Sequence, residues 1–209
     1  MRGLKLIALV VTLWAVCVPL AGSALAKGTS ELDLRTLGGG SLQPGQEIVM
    51  TSSDLSLFGA FGPLNCSNST VTGTLVNNGA KSVTLVFTTE QSSSGGLEGF
   101  CDEPHAFPKA EETRVEARGL PWTMTLKQAE KAGVRVALTG AESVGFFVGE
   151  QLPYICGLYE APKVTGTFDS YVNVDGPLKQ NVDGTNCRPI RATFSAAWLM
   201  TAGGEQVIP

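Results

Sequence analysis

Histidine is almost missing from this sequence: His105 is the single one in 209 residues. A hydroxyl or thiol nucleophile normally needs a base beside it, and imidazole is the usual one. No G-x-S-x-G elbow, Ser-x-x-Lys motif, Gly-rich phosphate loop or dinucleotide fingerprint occurs, so no cofactor is implied. Basic charge is scarce as well. Fifteen Lys and Arg face 19 Asp and Glu, leaving no positive stripe to neutralise phosphates, which excludes a nucleic-acid partner. Five cysteines without C-x-x-C spacing, and one histidine, give zinc no ligand set. Beyond residue 26, apolar stretches such as Ala196-Ala197-Trp198-Leu199-Met200 are far too short to span a bilayer. Helical composition is confined to Leu126–Ala132, closed by Gly133, and a wide connection between strands fits that stretch equally.

What is present begins with an export signal. Arg2 and Lys5 charge the first residues, Leu6 to Leu20 is apolar apart from Thr12 and Pro19, and Ser23-Ala24-Leu25-Ala26 follows. Ala24 and Ala26 are the small residues a signal peptidase requires, so cleavage is expected after Ala26. A membrane anchor is the weaker reading, because the apolar run is short of the roughly 20 residues that span a bilayer. Cys17 lies inside this segment, and Trp14-Ala15-Val16 before it lacks the small neighbour that a lipid-modified cysteine wants. Cleavage leaves 183 of the 209 residues, with 13 basic against 19 acidic side chains and a net charge of −6. The expected organisation is a signal peptide over 1–26, a flexible lead-in over 27–46 and one domain over 47–209. The expected location is secreted or at the cell envelope, with no transmembrane anchor in the mature chain.

The cut leaves Cys66, Cys101, Cys156 and Cys187. An even count in an exported chain implies two disulfides. Three connectivities are open, and Cys66–Cys101 with Cys156–Cys187 is preferred because each pair lies in neighbouring strands or loops.

From Glu47 onward, short runs rich in Val, Thr, Phe and Leu alternate with Gly, Asn, Asp and Pro clusters, the mark of strands and turns. Thr70–Val76 and Ser82–Thr88 flank Asn77-Asn78-Gly79-Ala80-Lys81, which reads as a hairpin turn. Further strands are expected at Thr113–Arg118, Trp122–Leu126, Val134–Leu138, Val144–Val148, Tyr154–Tyr159, Val164–Val172 and Arg191–Thr201. With no β-α-β alternation, the fold class is all-β: a single antiparallel β-sandwich, favoured by the short strands, or alternatively a closed β-barrel. Asn173-Val174-Asp175-Gly176 recurs as Asn181-Val182-Asp183-Gly184, which reads as two turns around a short strand, Pro177–Gln180. Calcium at Asp169, Asn173, Asp175 and Asp183 is the sharper idea, but their spacing is not that of an EF-hand loop.

Paired carboxylates could still hydrolyse a glycosidic bond without histidine. Glu98, Asp102, Glu103, Glu111, Glu112 and Asp169 are candidates, although adjacent Glu111 and Glu112 would face opposite ways on a strand. His105, between Pro104 and Pro108, reads as a surface loop residue. Trp122, Trp198, Tyr154, Tyr159 and Tyr171 could build a ligand platform. Both tryptophans fall on apolar strand faces and read as core, whereas Tyr154 and Tyr159, beside Cys156, read as nearer the surface.

The order of Cys66-Ser67-Asn68-Ser69-Thr70-Val71-Thr72-Gly73-Thr74-Leu75, Phe100-Cys101, Leu120-Pro121-Trp122, Cys156 with Tyr159, Val164-Thr165-Gly166, Cys187 and a terminal strand with Gly203-Gly204 and Val207 resembles a group of secreted, disulfide-stapled bacterial β proteins. The resemblance spans 46–209 and implies an exported all-β domain with no assigned activity. The expected function is a non-enzymatic binding or structural module at the cell envelope or outside the cell. Candidate partners are an envelope glycan, a surface protein or a small apolar ligand. The alternatives are a secreted carbohydrate-active hydrolase using two carboxylates, or a small-ligand carrier if the strands close into a barrel.

Overall fold

A computed structural model describes residues 31–59, 62–94, 97–98, 100–102, 112–129, 133–149, 155–180 and 192–209. Apolar and polar residues alternate through most of these segments, and each alternating run forms a strand with one buried face. In chain order the strands are β1 (Arg35–Thr36), β2 (Glu47–Ser52), β3 (Leu55–Gly59), β4 (Gly62–Cys66), β5 (Asn68–Gly79), β6 (Ser82–Ser94), β7 (Leu97–Glu98), β8 (Phe100–Asp102), β9 (Glu112–Arg118), β10 (Trp122–Gln128), β11 (Val134–Thr139), β12 (Val144–Gly149), β13 (Ile155–Ala161), β14 (Val164–Phe168), β15 (Val172–Gln180), β16 (Ala192–Ala202) and β17 (Glu205–Ile208). No helix occurs among the described residues.

Eight strands close on themselves. The antiparallel order β2-β5-β6-β10-β11-β14-β15-β16 returns to β2, where Met200 pairs with Met50. Six strands outside this ring prolong the wall: β16 also pairs with β3, and β4, β8, β9, β12 and β13 follow in order back to β15. The architecture is therefore the closed barrel held above as the alternative, not a two-sheet sandwich. Closure leaves the ring without an open edge.

The parity of the buried positions shows how the wall bends. β15 and β16 are unbroken, and their buried residues stay in phase: Val172, Val174 and Leu178, then Ala192, Phe194, Ala196, Trp198, Met200 and Ala202. At several breaks the phase slips. Ile48, Met50 and Ser52 are followed by Leu55 and Leu57, Leu64 and Cys66 by Ser69 and Val71, Val115 by Trp122, and Tyr159 and Ala161 by Val164. A continuous strand would turn each second group outward. The interruptions at Ser53-Asp54, Ser67, Gly119-Leu120-Pro121 and Pro162-Lys163 make the interval between buried positions odd, which keeps both groups inside. Such breaks also bend and twist the wall, which closure of a small barrel requires. One of them needs glycine for space: a Cβ on Gly119 or Gly140 would lie 1.9 or 1.7 Å from the carbonyl oxygen of Ser143.

Several local expectations change. Leu126 to Gln128, expected as helix or connection, continue β10, where Leu126 pairs with both Val136 and Val83. Asn173-Val174-Asp175-Gly176 is not a turn but part of β15, and the second copy lies outside the described residues. Val164–Val172 is two strands, separated by a turn at Asp169-Ser170-Tyr171. The hairpin after β5 is where the sequence put it, but the turn is Ala80-Lys81, with Gly79 paired to Ser82 and no positive φ at the asparagines.

The lead-in is packed rather than loose over its described part. Leu32, Leu34 and Leu42 are buried, and Arg35-Thr36 pairs with β17. Asn78, at the end of β5, holds this segment. Its Oδ1 accepts from the Leu34 N–H at 2.9 Å, and its Nδ2 donates to Leu34 O, Leu42 O and Asp33 Oδ1 at 3.1, 2.9 and 2.8 Å.

Candidate functional site

A wall built from broken strands leaves recesses at the breaks. One cleft of about 300 Å³ opens where β13 stops at Pro162 and the β11–β12 connection passes beside it. Glu142, Ser143, Glu160, Ala161, Pro162, Lys179 and Gln180 line it. Register brings these residues together from distant parts of the chain. Val144 pairs with Ala161, Gly145 with Glu160, and Glu160 in turn with Lys179 of β15. Ser143 Oγ donates to Glu160 Oε2 at 2.8 Å, which orients that carboxyl. Glu142 and Lys179 are exposed and Glu160 is half-buried. The cleft thus offers two carboxyls, an ammonium and an amide, a set suited to hydroxyl-rich or zwitterionic ligands. Tyr159 points the other way, into the barrel, and burial pushes its phenol up from the usual value, so it stays protonated and supplies no base to the cleft.

Both tryptophans lie in the interior, as their strand faces require, whereas Tyr159 is fully buried instead of near the surface. The physical reason is its register opposite Phe146, whose side chain shares the inward face. Trp122, Phe146, Phe194 and Trp198 form a continuous chain of buried rings, with centroids 5.5, 4.9 and 5.8 Å apart. The indole N–H groups are satisfied inside. Trp122 Nε1 donates to Arg118 O at 2.9 Å, and Trp198 Nε1 donates to Ser69 Oγ at 3.3 Å. Ser69 Oγ passes the polarity outward by donating to Glu90 Oε1 at 3.2 Å. Sequence reading did not single out Ser69 or Glu90. A serine among apolar positions of a buried strand face was the available signal, since a buried hydroxyl needs a partner. Tyr171, the remaining described member of the suggested platform, is half-exposed on the β14–β15 turn.

Cys66 is buried at the end of β4. Cys101 lies on β8, Cys156 on β13, and Cys187 lies outside the described residues. Of the suggested carboxylates, Glu98, Asp102 and Glu112 lie on β7, β8 and β9, while Glu103, Glu111, His105 and Tyr154 lie outside the described residues. Asp169 serves its own turn: its Oδ1 accepts from the backbone N–H groups of Ser170 and Tyr171, and these bonds hold its carboxyl below the usual range. Asn173 Nδ2 donates to Tyr171 O. No group of three or more His, Cys, Asp or Glu side chains gathers into a metal site among the described residues, and Asp183 lies outside them. Comparison with protein-family models, with curated proteins and with solved structures gives no match.

Proposed function

We propose that this chain is an exported, non-enzymatic barrel module that binds a partner through its outer surface, or has a structural role, at the cell envelope or outside the cell. The observation that carries this reading is the occupied interior. The barrel is closed, yet its interior is packed with fully buried side chains, among them the contiguous rings of Trp122, Phe146, Phe194 and Trp198. Eight strands give a lumen just wide enough for side chains to fill or for one small ligand, and here side chains fill it. Binding at the outer wall is left, and the cleft at Glu160 is its polar recess. The Cys66–Cys101 disulfide belongs to the same proposal. Asn65 pairs with Asp102, so the antiparallel register carries Cys101 opposite Cys66.

A hydrolase is the second reading, favoured by one feature: Glu142 and Glu160 line the same cleft. Purified protein should be tested for binding to envelope glycans and, in parallel, for their hydrolysis. Saturable binding without turnover supports the module. Turnover that Glu160→Gln abolishes while the fold survives would overturn it in favour of the hydrolase.

A further inference from the structure

Glu160 and Lys179 stand directly opposite each other on β13 and β15, the position in which opposite charges on a sheet ordinarily pair. Here the pair stays open. Among the described residues the side chains of Lys179 and Glu142 make no ion pair and no hydrogen bond. The reason lies on the other flank of β13. Ser143, just before β12, donates its hydroxyl to Glu160 Oε2 at 2.8 Å. Gly145, opposite Glu160 on β12, leaves room for that side chain to lean over: a Cβ there would stand 2.9 Å from the Cβ of Glu160.

The cleft of about 300 Å³ therefore keeps charges of both signs without partners. The ammonium of Lys179 lies on the β15 wall and the carboxylate of Glu142 at the β11–β12 connection, with the oriented carboxyl of Glu160 on the strand between. Ala161 and Pro162 supply the apolar part of the lining. A neutral sugar would leave both charges unmatched. A ligand that carries one charge of each sign would match them together.

We infer that the cleft binds a free α-amino acid with an apolar side chain. The carboxylate of the ligand meets Lys179, its ammonium meets Glu142 and Glu160, and its side chain lies on Pro162. Both ionic groups of an amino acid are attached to one carbon, so a single small molecule supplies both missing partners. The size agrees. At roughly 30 Å³ for each water-sized group, the cleft holds about ten non-hydrogen atoms, the size of a leucine molecule. This deepens the surface-module reading and rests on the Glu160 cleft being its binding recess.

The test titrates the purified protein with L-leucine and follows the backbone amide NMR shifts. N-acetyl-L-leucine, which lacks the ammonium, and L-leucinamide, which lacks the carboxylate, are titrated beside it. L-Leucine is expected to saturate with a Kd of about 1 mM or lower and to move the amides of Ser143, Glu160 and Lys179. Each analogue should bind at least tenfold more weakly. Ser143→Ala frees Glu160 to pair with Lys179, so leucine affinity should fall at least tenfold although the serine meets neither end of the ligand. No saturable leucine binding, equal binding of all three compounds, or unchanged leucine affinity in folded Ser143→Ala overturns the inference. The wild-type series decides alone if that variant does not fold. Glycan binding without leucine binding sinks this inference only, whereas glycan turnover that Glu160→Gln abolishes sinks the module reading beneath it.

Discussion

Phe194→Ala is the sharpest probe of the occupied lumen. Phe194 is fully buried on β16, between Phe146 at 4.9 Å and Trp198 at 5.8 Å. Across the ladder it faces Gly176 on one side and Leu57 on the other. Gly176 has no side chain to move into the space, and Val164 Cγ1 already stands 3.3 Å from where a Cβ would be, so the site collapses poorly. Truncating a buried phenylalanine costs about 3–5 kcal/mol, and a site that cannot relax belongs at the upper end. With a urea m-value of about 2–3 kcal/mol/M, the midpoint should fall by roughly 1.5–2 M. The assay is equilibrium urea unfolding followed by tryptophan fluorescence, with unchanged m as the check that the transition is still two-state. A midpoint shift under roughly 0.4 M, with m unchanged, would refute the reasoning. It would mean that the ring lies in space that is already loose, and the interior would then have to be reconsidered as a ligand cavity.

Ser69→Ala leaves the Trp198 indole N–H without its partner and should cost about 1–3 kcal/mol in the same urea assay, more than an exposed serine would. Gly140→Ala puts a Cβ against the Ser143 carbonyl and should cost at least about 2 kcal/mol, read as a drop in thermal midpoint. Peptide mapping of the non-reduced protein should yield a Cys66–Cys101 cross-link. Replacing that pair by serines opens a loop of about 35 residues and should cost roughly 3–4 kcal/mol, whereas a free Cys101 thiol would refute the pairing. Asp33 is held below its ordinary value of 3.8, first by the Ser41 hydroxyl and then by Arg35 and Asn78, against an opposing effect of burial. A depressed carboxyl stabilises the fold above its unfolded-state pKa and loses that contribution as pH falls through the folded-state value. The thermal midpoints of wild type and Asp33→Asn should therefore differ at neutral pH, begin to approach each other below about pH 4, and converge only once pH has fallen through the lower folded-state value.

The strands were legible because their signal is local. Trp122, Met124 and Leu126, or Ala192, Phe194, Ala196 and Trp198, repeat with period two whatever lies around them. Closure was not legible. It depends on β16 reaching back to β2 from the far end of the chain, and on breaks that shift the apolar phase by one residue. Such a break reads in sequence as the end of one short strand and the start of another, and short strands favour a sandwich on paper. The Asn-Val-Asp-Gly repeat misleads for a related reason. Val172, Val174 and Leu178 carry a period-two pattern straight through Asp175-Gly176, and in a buried ladder that pattern outweighs a turn preference worth a few tenths of a kcal/mol or so.

The recess at Glu160 could not be found from sequence, because its three short stretches, Glu142-Ser143, Glu160-Ala161-Pro162 and Lys179-Gln180, lie far apart there. Ser143 precedes β12, Glu160 belongs to β13 and Lys179 lies next to the last residue of β15, and only the three-strand register gathers them. Asn78 is a stronger example. As a letter beside Asn77 and Gly79 it is a turn residue, and its backbone does sit next to the turn. Its side chain instead holds a segment 36 to 45 positions earlier in the chain, through four bonds that no local pattern encodes. Hydrophobic periodicity fixes which face of a strand is buried, but not which backbone groups at the end of a barrel need a partner. The packing of residues 31–46 over that end therefore becomes visible only once the wall is closed and its end has to be accounted for.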